Sequence, residues 1–202
     1  MRDLTRSEYI VPTEREIVAR NLWAGARLWS AGMAFLFIAF VFSFYYLREL
    51  NIEGQWRPKG TNPPLGFGIA ILACIVISAG VLWAGVRVRR TSGPHGAWHL
   101  AAGVSLLLGA AGLALICDQF FKAGFRPTGG TYASVFFGWT GFYAATLFGG
   151  VFYLETILAK SLRSPAVAAG EIAAGEVEAF SVYWYFLAMV EVLTFILLYI
   201  VA

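Results

Sequence analysis

The sequence predicts an all-α membrane protein, a bundle of five transmembrane helices with its N-terminus inside and its C-terminus outside. Three observations lead there. The 202 residues are 59% hydrophobic and only 13% charged, against roughly 25% charged in soluble domains. Five separate segments are long and apolar enough to cross a bilayer. Lys and Arg fall unequally on the two sides of those segments.

The composition excludes several function classes. With 15 Lys and Arg and 12 Asp and Glu, a soluble domain of this size has too few charges to cover its surface. A soluble enzyme, a disordered chain and a nucleic-acid binder are excluded in turn, despite a pI near 9.0. A mean hydropathy of +0.69 agrees. So do the 22 Gly and 16% aromatics, since Gly is frequent in spanning helices and Trp and Tyr favour interfaces.

A spanning helix needs about 20 apolar residues. The segments 28–47, 65–86, 97–117, 135–157 and 179–201 meet that length. The first lies between Arg27 and Arg48. The second follows Pro63-Pro64 and stops at Arg87, Arg89 and Arg90, and the third ends at Asp118-Gln119. Alternation of the kind a barrel requires is absent, which leaves helices as the spanning structure.

Orientation follows from the cations. The N-terminal segment carries Arg2, Arg6, Arg15, Arg20 and Arg27. Arg87, Arg89, Arg90, Lys160 and Arg163 fall on the same side. The other side has Arg48, Arg57, Lys59, Lys122 and Arg126. The richer side is expected in the cytoplasm or an organellar matrix.

Residues 1–27 form a polar segment without an apolar stretch or a small-residue cleavage site, so the first span is expected to act as its own insertion signal. Thr13-Glu14-Arg15-Glu16 reads as a capping box. A helix behind it either lies on the inner surface with Val18, Leu22 and Trp23 towards lipid, or simply extends the first span. Residues 161–178 hold the near-repeat Ala168-Ala169-Gly170-Glu171-Ile172 and Ala173-Ala174-Gly175-Glu176-Val177. They read as a partly helical linker without chemistry of its own.

Ionisable groups inside a bilayer are costly and mark functional candidates. The spans hold two acids. Glu155 sits in the last turn of the fourth, where it reads as an interfacial carboxylate near Lys160. Glu191 lies beside the midpoint of the fifth. At that depth an ionised carboxylate costs on the order of 3 kcal/mol, so Glu191 is expected to be protonated or turned towards a partner. Ser181, Trp184, Ala188, Glu191 and Thr194 or Phe195 share one helical stripe. That stripe should face protein, either for a structural hydrogen bond or for proton handling.

Other chemistry is sparse. His95 and His99 are four apart at the inner end of the third span, without an acid or Cys partner, and read as interfacial residues rather than ligands. Cys74 and Cys117 lie in apolar runs and read as small packing residues. No metal site, nucleophile set, P-loop or dinucleotide fingerprint is present. Gly141, Ala145 and Gly149 form a small-xxx-small face in the fourth span, and Gly66, Ala70 and Cys74 repeat the spacing in the second. With the Gly and Ala from Gly109 to Ala114, they predict close helix packing.

Two stretches carry a resemblance. Residues 131–150 contain Thr140-Gly141-Phe142 with Gly149-Gly150 following, and residues 182–186 read Val182-Tyr183-Trp184-Tyr185-Phe186. Thr140, Phe142, Gly150, Trp184 and Phe186 are the motif positions. This pattern resembles subunit III of the haem–copper terminal oxidases, the cytochrome c oxidase subunit III family. There Thr-Gly-Phe-His leads to Gly-Gly and Tyr-Trp-His-Phe follows. The chain looks like a short, divergent five-helix form that lacks the first two helices of seven-helix members. Tyr143, Thr146 and Tyr185 stand where the family has His, and Ala188 replaces its Asp. An acid reappears one turn on, at Glu191. The early Glu of the family falls at Ala31 or Gly32.

The resemblance implies a non-catalytic subunit of a respiratory oxidase in the bacterial inner membrane. Such a subunit carries no redox centre. Haem and copper belong to the partner catalytic subunit, and the partners are oxidase subunits I and II together with phospholipids. It would support proton uptake and the stability of the complex. Two other readings are an accessory subunit of nitric oxide reductase and an independent membrane transporter or scaffold. Against the last, broken helices and inverted repeats are absent.

Overall fold

The computed structural model describes residues 14–50, 54, 56–93, 96–164 and 169–202. Arg2, Arg6, Thr13, Pro94, His95 and Ala168 lie outside them. Five helices are long and apolar enough to cross a membrane: α1 (Glu14–Glu49), α2 (Leu65–Ser92), α3 (Gly96–Lys122), α4 (Thr131–Arg163) and α5 (Glu171–Phe195), the last continuing as π-helix over Ile196–Val201. No strand occurs among the described residues. The protein is a multi-pass helical membrane protein.

The helices overrun the apolar segments because apolarity marks only the hydrocarbon slab. A helix continues through the interface until a backbone signal stops it. For α2 those signals are Pro64, extended at ψ 107°, and Gly93, whose φ of 77° ends the helix as its N–H closes on the Arg89 carbonyl at 2.9 Å. Gly130, at φ 143°, makes the sharp entry to α4 that a side chain would strain. The 36 residues of α1 measure about 54 Å at helical rise, well beyond the bilayer core. Residues 14–27 thus continue into the first span as one unbroken helix. Val18 and Trp23 are exposed, and Arg27 stacks on Trp23 at 3.3 Å.

Helix α5 is the centre of the bundle, packed against α1, α2 and α4, while α2 and α3 form the closest pair. Glycine sets these distances. A Cβ added at Gly85 would sit 2.6 Å from the Ala101 Cβ, and one at Gly112 would sit 2.8 Å from Ile75 Cδ1. The expected Gly and Ala packing of α3 is thus made at Gly109 and Gly112. The other two small-residue faces differ from expectation. Gly66 has nothing within 4 Å of an added Cβ, and the close approach near this end of α2 is at Gly68, where an added Cβ would fall 2.7 Å from the Tyr199 ring. Gly141 and Gly149 are likewise open and Ala145 is exposed. The buried face of α4 runs instead through Tyr143, Leu147, Gly150 and Leu154. It lies next to the Gly141–Ala145–Gly149 stripe on the helix, so that stripe points away from the core.

The linker near-repeat does more than connect. Gly170 precedes α5, and an added Cβ at Gly175 would fall 2.8 Å from the Ala19 Cβ, so α1 and α5 nearly touch there. Glu176 binds Lys160 at 2.9 Å and accepts from the Tyr153 hydroxyl at 3.0 Å, and Glu178 binds Arg90 at 2.9 Å. The acids of the linker thus tie α5 to α4 and α2. Glu155 is exposed, and Glu176 is the carboxylate on Lys160.

Gly85→Val is expected to force α2 and α3 apart, destabilising the protein by about 1–3 kcal/mol as overpacking does. Gly66→Ala should leave stability within about 0.5 kcal/mol. Thermal unfolding of the two variants in detergent checks the contrast.

Candidate functional site

Hydrogen bonds between helices carry most of the buried polar chemistry. At the centre, α5 drives the Trp184 indole, 1% exposed, between α2, α3 and α4. Gly109 and Gly150 make room for it, since added Cβ atoms would lie 2.8 Å and 3.0 Å from the ring. The indole N–H donates to Ser78 Oγ at 3.1 Å. Ser78 Oγ donates to the Ser105 carbonyl at 2.8 Å, and Ser105 Oγ donates to the Ser78 carbonyl at 3.0 Å. This reciprocal pair clamps α2 to α3, and the indole joins α5 to both. With no water in the hydrocarbon to take over, each such bond is worth about 0.6–2 kcal/mol.

Further along α5, Glu191 is 3% exposed and lies within hydrogen-bonding reach of the Tyr143 hydroxyl on α4. Tyr143 also reaches the Leu187 carbonyl at 3.2 Å. Thr194 donates to the Val190 carbonyl and accepts from the Trp139 indole, both at 2.8 Å. Thr140 donates to the Phe136 carbonyl at 2.6 Å. From α3, Gln119 donates its amide N–H to the Tyr199 hydroxyl. The π-helical turn brings Tyr199 over Gly68, where it can meet Gln119.

The end of the bundle beyond this cluster is closed by the segment between α1 and α2. The Tyr132 backbone N–H donates to the Trp56 carbonyl at 2.9 Å, and its hydroxyl donates to the Leu198 carbonyl at 2.6 Å. Arg57 lies 4.9 Å over the Tyr132 ring and donates to the Ala202 carbonyl. At the opposite end His99 shares a 2.8 Å hydrogen bond with Ser161, tying α3 to α4. Among the described residues no group of three or more His, Cys, Asp or Glu comes together.

The structure brings Glu191 and Tyr143 together, with Thr140 lining the same small cavity. The predicted stripe of α5 faces protein: Ser181, Trp184, Glu191 and Thr194 are buried and Ala188 packs against the core. Thr146 and Tyr185 stand apart from Glu191. Thr146 donates to the Tyr143 carbonyl at 2.8 Å, and its own carbonyl accepts from Tyr183 at 2.8 Å. Tyr185 is half-buried beside Ser181. Phe142 and Phe186 join Phe37 of α1 at ring distances of 5.3 Å and 6.2 Å. Cys74 is half-buried and Cys117 exposed, both free. Sequence reasoning missed Ser78, Ser105, Gln119 and Tyr199. Polar side chains at mid-span were the available signal for the serines, because a lone hydroxyl there needs an interhelical partner.

The half of the bundle nearer the start of α1 also holds an open apolar cleft of about 730 Å³ between α1, α4 and α5. Val18, Leu22 and Trp29 form one wall, and Gly149, Tyr153 and Phe180 the other. It stops where Phe37 and Phe40 of α1 meet Trp139 and Phe142 of α4.

Fold and site together define a multi-pass membrane protein whose helices are cross-linked by buried hydrogen bonds. The family model described as cytochrome c oxidase subunit III matches residues 1–202. Cytochrome c oxidase subunit 3 of Rhipicephalus sanguineus is 26% identical over 205 residues, covering 98% of this chain and 77% of that protein. The Rattus norvegicus protein of the same name is 24% identical over 202 residues, and that of Cyprinus carpio 25% over 204, each covering 98% of this chain and 76% of its own length. The chain belongs to the cytochrome c oxidase subunit III family.

Trp184→Phe is expected to destabilise the protein by about 2 kcal/mol through the lost N–H bond and the smaller ring, and Ser78→Ala by about 1 kcal/mol. Because they share one bond, the double variant should lose less than the sum. Denaturant unfolding in mixed micelles measures all three.

Proposed function

We propose that this chain is the non-catalytic subunit III of a respiratory haem–copper oxidase in a bacterial plasma membrane, with its N-terminus in the cytoplasm. It packs against the catalytic subunit, which holds the haem and copper, in a complex with subunits I and II. It binds phospholipid and supports proton uptake and the durability of the complex. Membership of an oxidase subunit family supports assembly with other oxidase subunits. The single observation that carries the lipid role is the cleft between α1, α4 and α5. Its lining is largely apolar and its volume suits acyl chains. Arg20, Arg27 and Lys160 lie near its inner end in sequence, where cations attract anionic headgroups.

The open stripe Gly141–Ala145–Gly149 fits the same reading. Gly149 is part of the cleft wall, and small residues give a lipid chain or a partner helix a smooth surface to lie on. Large apolar side chains such as Leu28, Phe35, Ile38 and Phe42 face outwards along α1, as a helix bordered by lipid or another subunit requires. Glu191 is the intramembrane acid most suited to a role in proton uptake or assembly.

Gentle purification should bring down haem- and copper-containing subunits with the chain, seen in the visible spectrum and by identifying the copurifying proteins. Recovery of a colourless monomer, or of a nitric oxide reductase, would sink the proposal. Gly149→Trp, which fills the cleft, should lower the phospholipid retained per complex without preventing assembly. Glu191→Gln should alter subunit retention or proton uptake. Unchanged oxygen consumption, proton pumping and retention would remove Glu191 from the function.

A further inference from the structure

A small polar cavity lies within the bundle, on the Glu191 side of α5. Its lining comprises Gln119 from α3, Thr140 and Tyr143 from α4, and Glu191, Thr194 and Tyr199 from α5, with Ile71 and Ile116 on the apolar side. Its volume is about 10 Å³. That is close to the roughly 10–15 Å³ that one enclosed water needs, and too small for any organic ligand. All six polar residues are nearly or largely buried, and Gln119, Thr140, Tyr143, Glu191 and Thr194 are each at most 5% exposed.

The hydrogen-bond inventory decides what can fill this space. Thr140 and Thr194 each direct a hydroxyl proton to a backbone carbonyl, those of Phe136 and Val190, and the single Tyr143 proton is shared between the Leu187 carbonyl and the Glu191 carboxyl. A hydroxyl has one proton, so these groups have only lone pairs left to offer. Glu191 brings two carboxyl oxygens, and the contact with Tyr143 engages only part of their accepting capacity. Tyr199 accepts from Gln119, which leaves its own proton to donate. The lining is therefore rich in acceptors and holds two spare donors, the Tyr199 hydroxyl and the second amide N–H of Gln119. A group of one-water size with two donor protons and an acceptor meets that need, and a methyl group or a void does not.

We propose that this cavity is a binding site for a single buried water molecule, held chiefly by Glu191 and bridging it to Gln119, Thr140 and Tyr199. The water completes a polar junction of α3, α4 and α5 inside the hydrocarbon. It gives the protons and lone pairs that an acid, an amide and two tyrosines have left over a shared partner at that depth. The site concerns only this chain's own residues and stands whether or not the proposed oxidase role does.

Electron cryo-microscopy of the full chain in its complex, at a resolution where ordered waters appear, tests the site directly. The expected result is one density peak within hydrogen-bonding distance of Glu191 and of at least two among Gln119, Thr140 and Tyr199. Thr140→Leu fills the cavity and should abolish the peak while the helices stay in place. If that variant does not fold, the map of the unaltered protein decides alone. Side chains closed together with no peak between them would overturn the proposal. A peak that appears only in sodium buffer, with five or six oxygen neighbours, would overturn it in favour of a cation.

Discussion

A tryptophan at the centre of a helix bundle demands space from every neighbour and a partner for its N–H. Both demands fall on Trp184. Gly109 and Gly150 have no side chains where the indole lies, and Ser78 receives its proton. Ser78 is in turn fixed by its exchange of hydrogen bonds with Ser105. The consequence is that α2, α3, α4 and α5 cannot shift relative to one another without moving the indole. In a bilayer, where apolar helices gain nothing from hiding from lipid, such shape matching and interhelical bonding set the arrangement.

From that centre the bundle is built differently towards its two ends. On the Glu191 side the interior stays polar, through Tyr143, Thr194, Gln119 and Tyr199 to the cap formed by Trp56, Arg57 and Tyr132. On the other side polar contacts move to the rim, where Glu176 and Glu178 meet Lys160 and Arg90. Such exposed ion pairs contribute little stability, but they fix where α5 enters the bundle. Between them α1 leans on α5 at the Ala19–Gly175 contact and leaves α4, which opens the cleft. The half that carries the acid is thus the more densely hydrogen-bonded, and the other half holds the open apolar cleft.

Helix positions were legible in the sequence because hydrocarbon excludes charge, and charge density alone marks the slab. Helix ends were less so. The start of α2 at Leu65 was marked by Pro63-Pro64, but ends such as those at Gly93 and Gly130 lie outside the apolar runs. Helix rotation was legible only where a costly group pointed the way, and Glu191 and its stripe were placed on the protein side for that reason. Small-residue spacing is a weaker guide. The Gly141–Ala145–Gly149 stripe has the pattern of a packed face, yet the face that packs is chosen by Trp184 pressing on Gly150. The motif positions Thr140 and Trp184 proved central to the interior, whereas Thr146 and Tyr185 stand apart from Glu191. Partners from other helices, such as Ser78 and Gln119, depend on tertiary geometry that no local pattern encodes.

The end of α5 shows how one local irregularity sets the azimuth of everything beyond it. Over Ile196–Val201 the helix widens to a π form, which inserts extra arc into the turn. Each residue of a regular helix advances about 100° around the axis. Removing a single residue from this turn would therefore relax it and swing Tyr199 towards a neighbouring face. Its ring would leave the slot over Gly68, and Gln119 would have to find another acceptor. The length of this last turn is thus constrained as tightly as its composition.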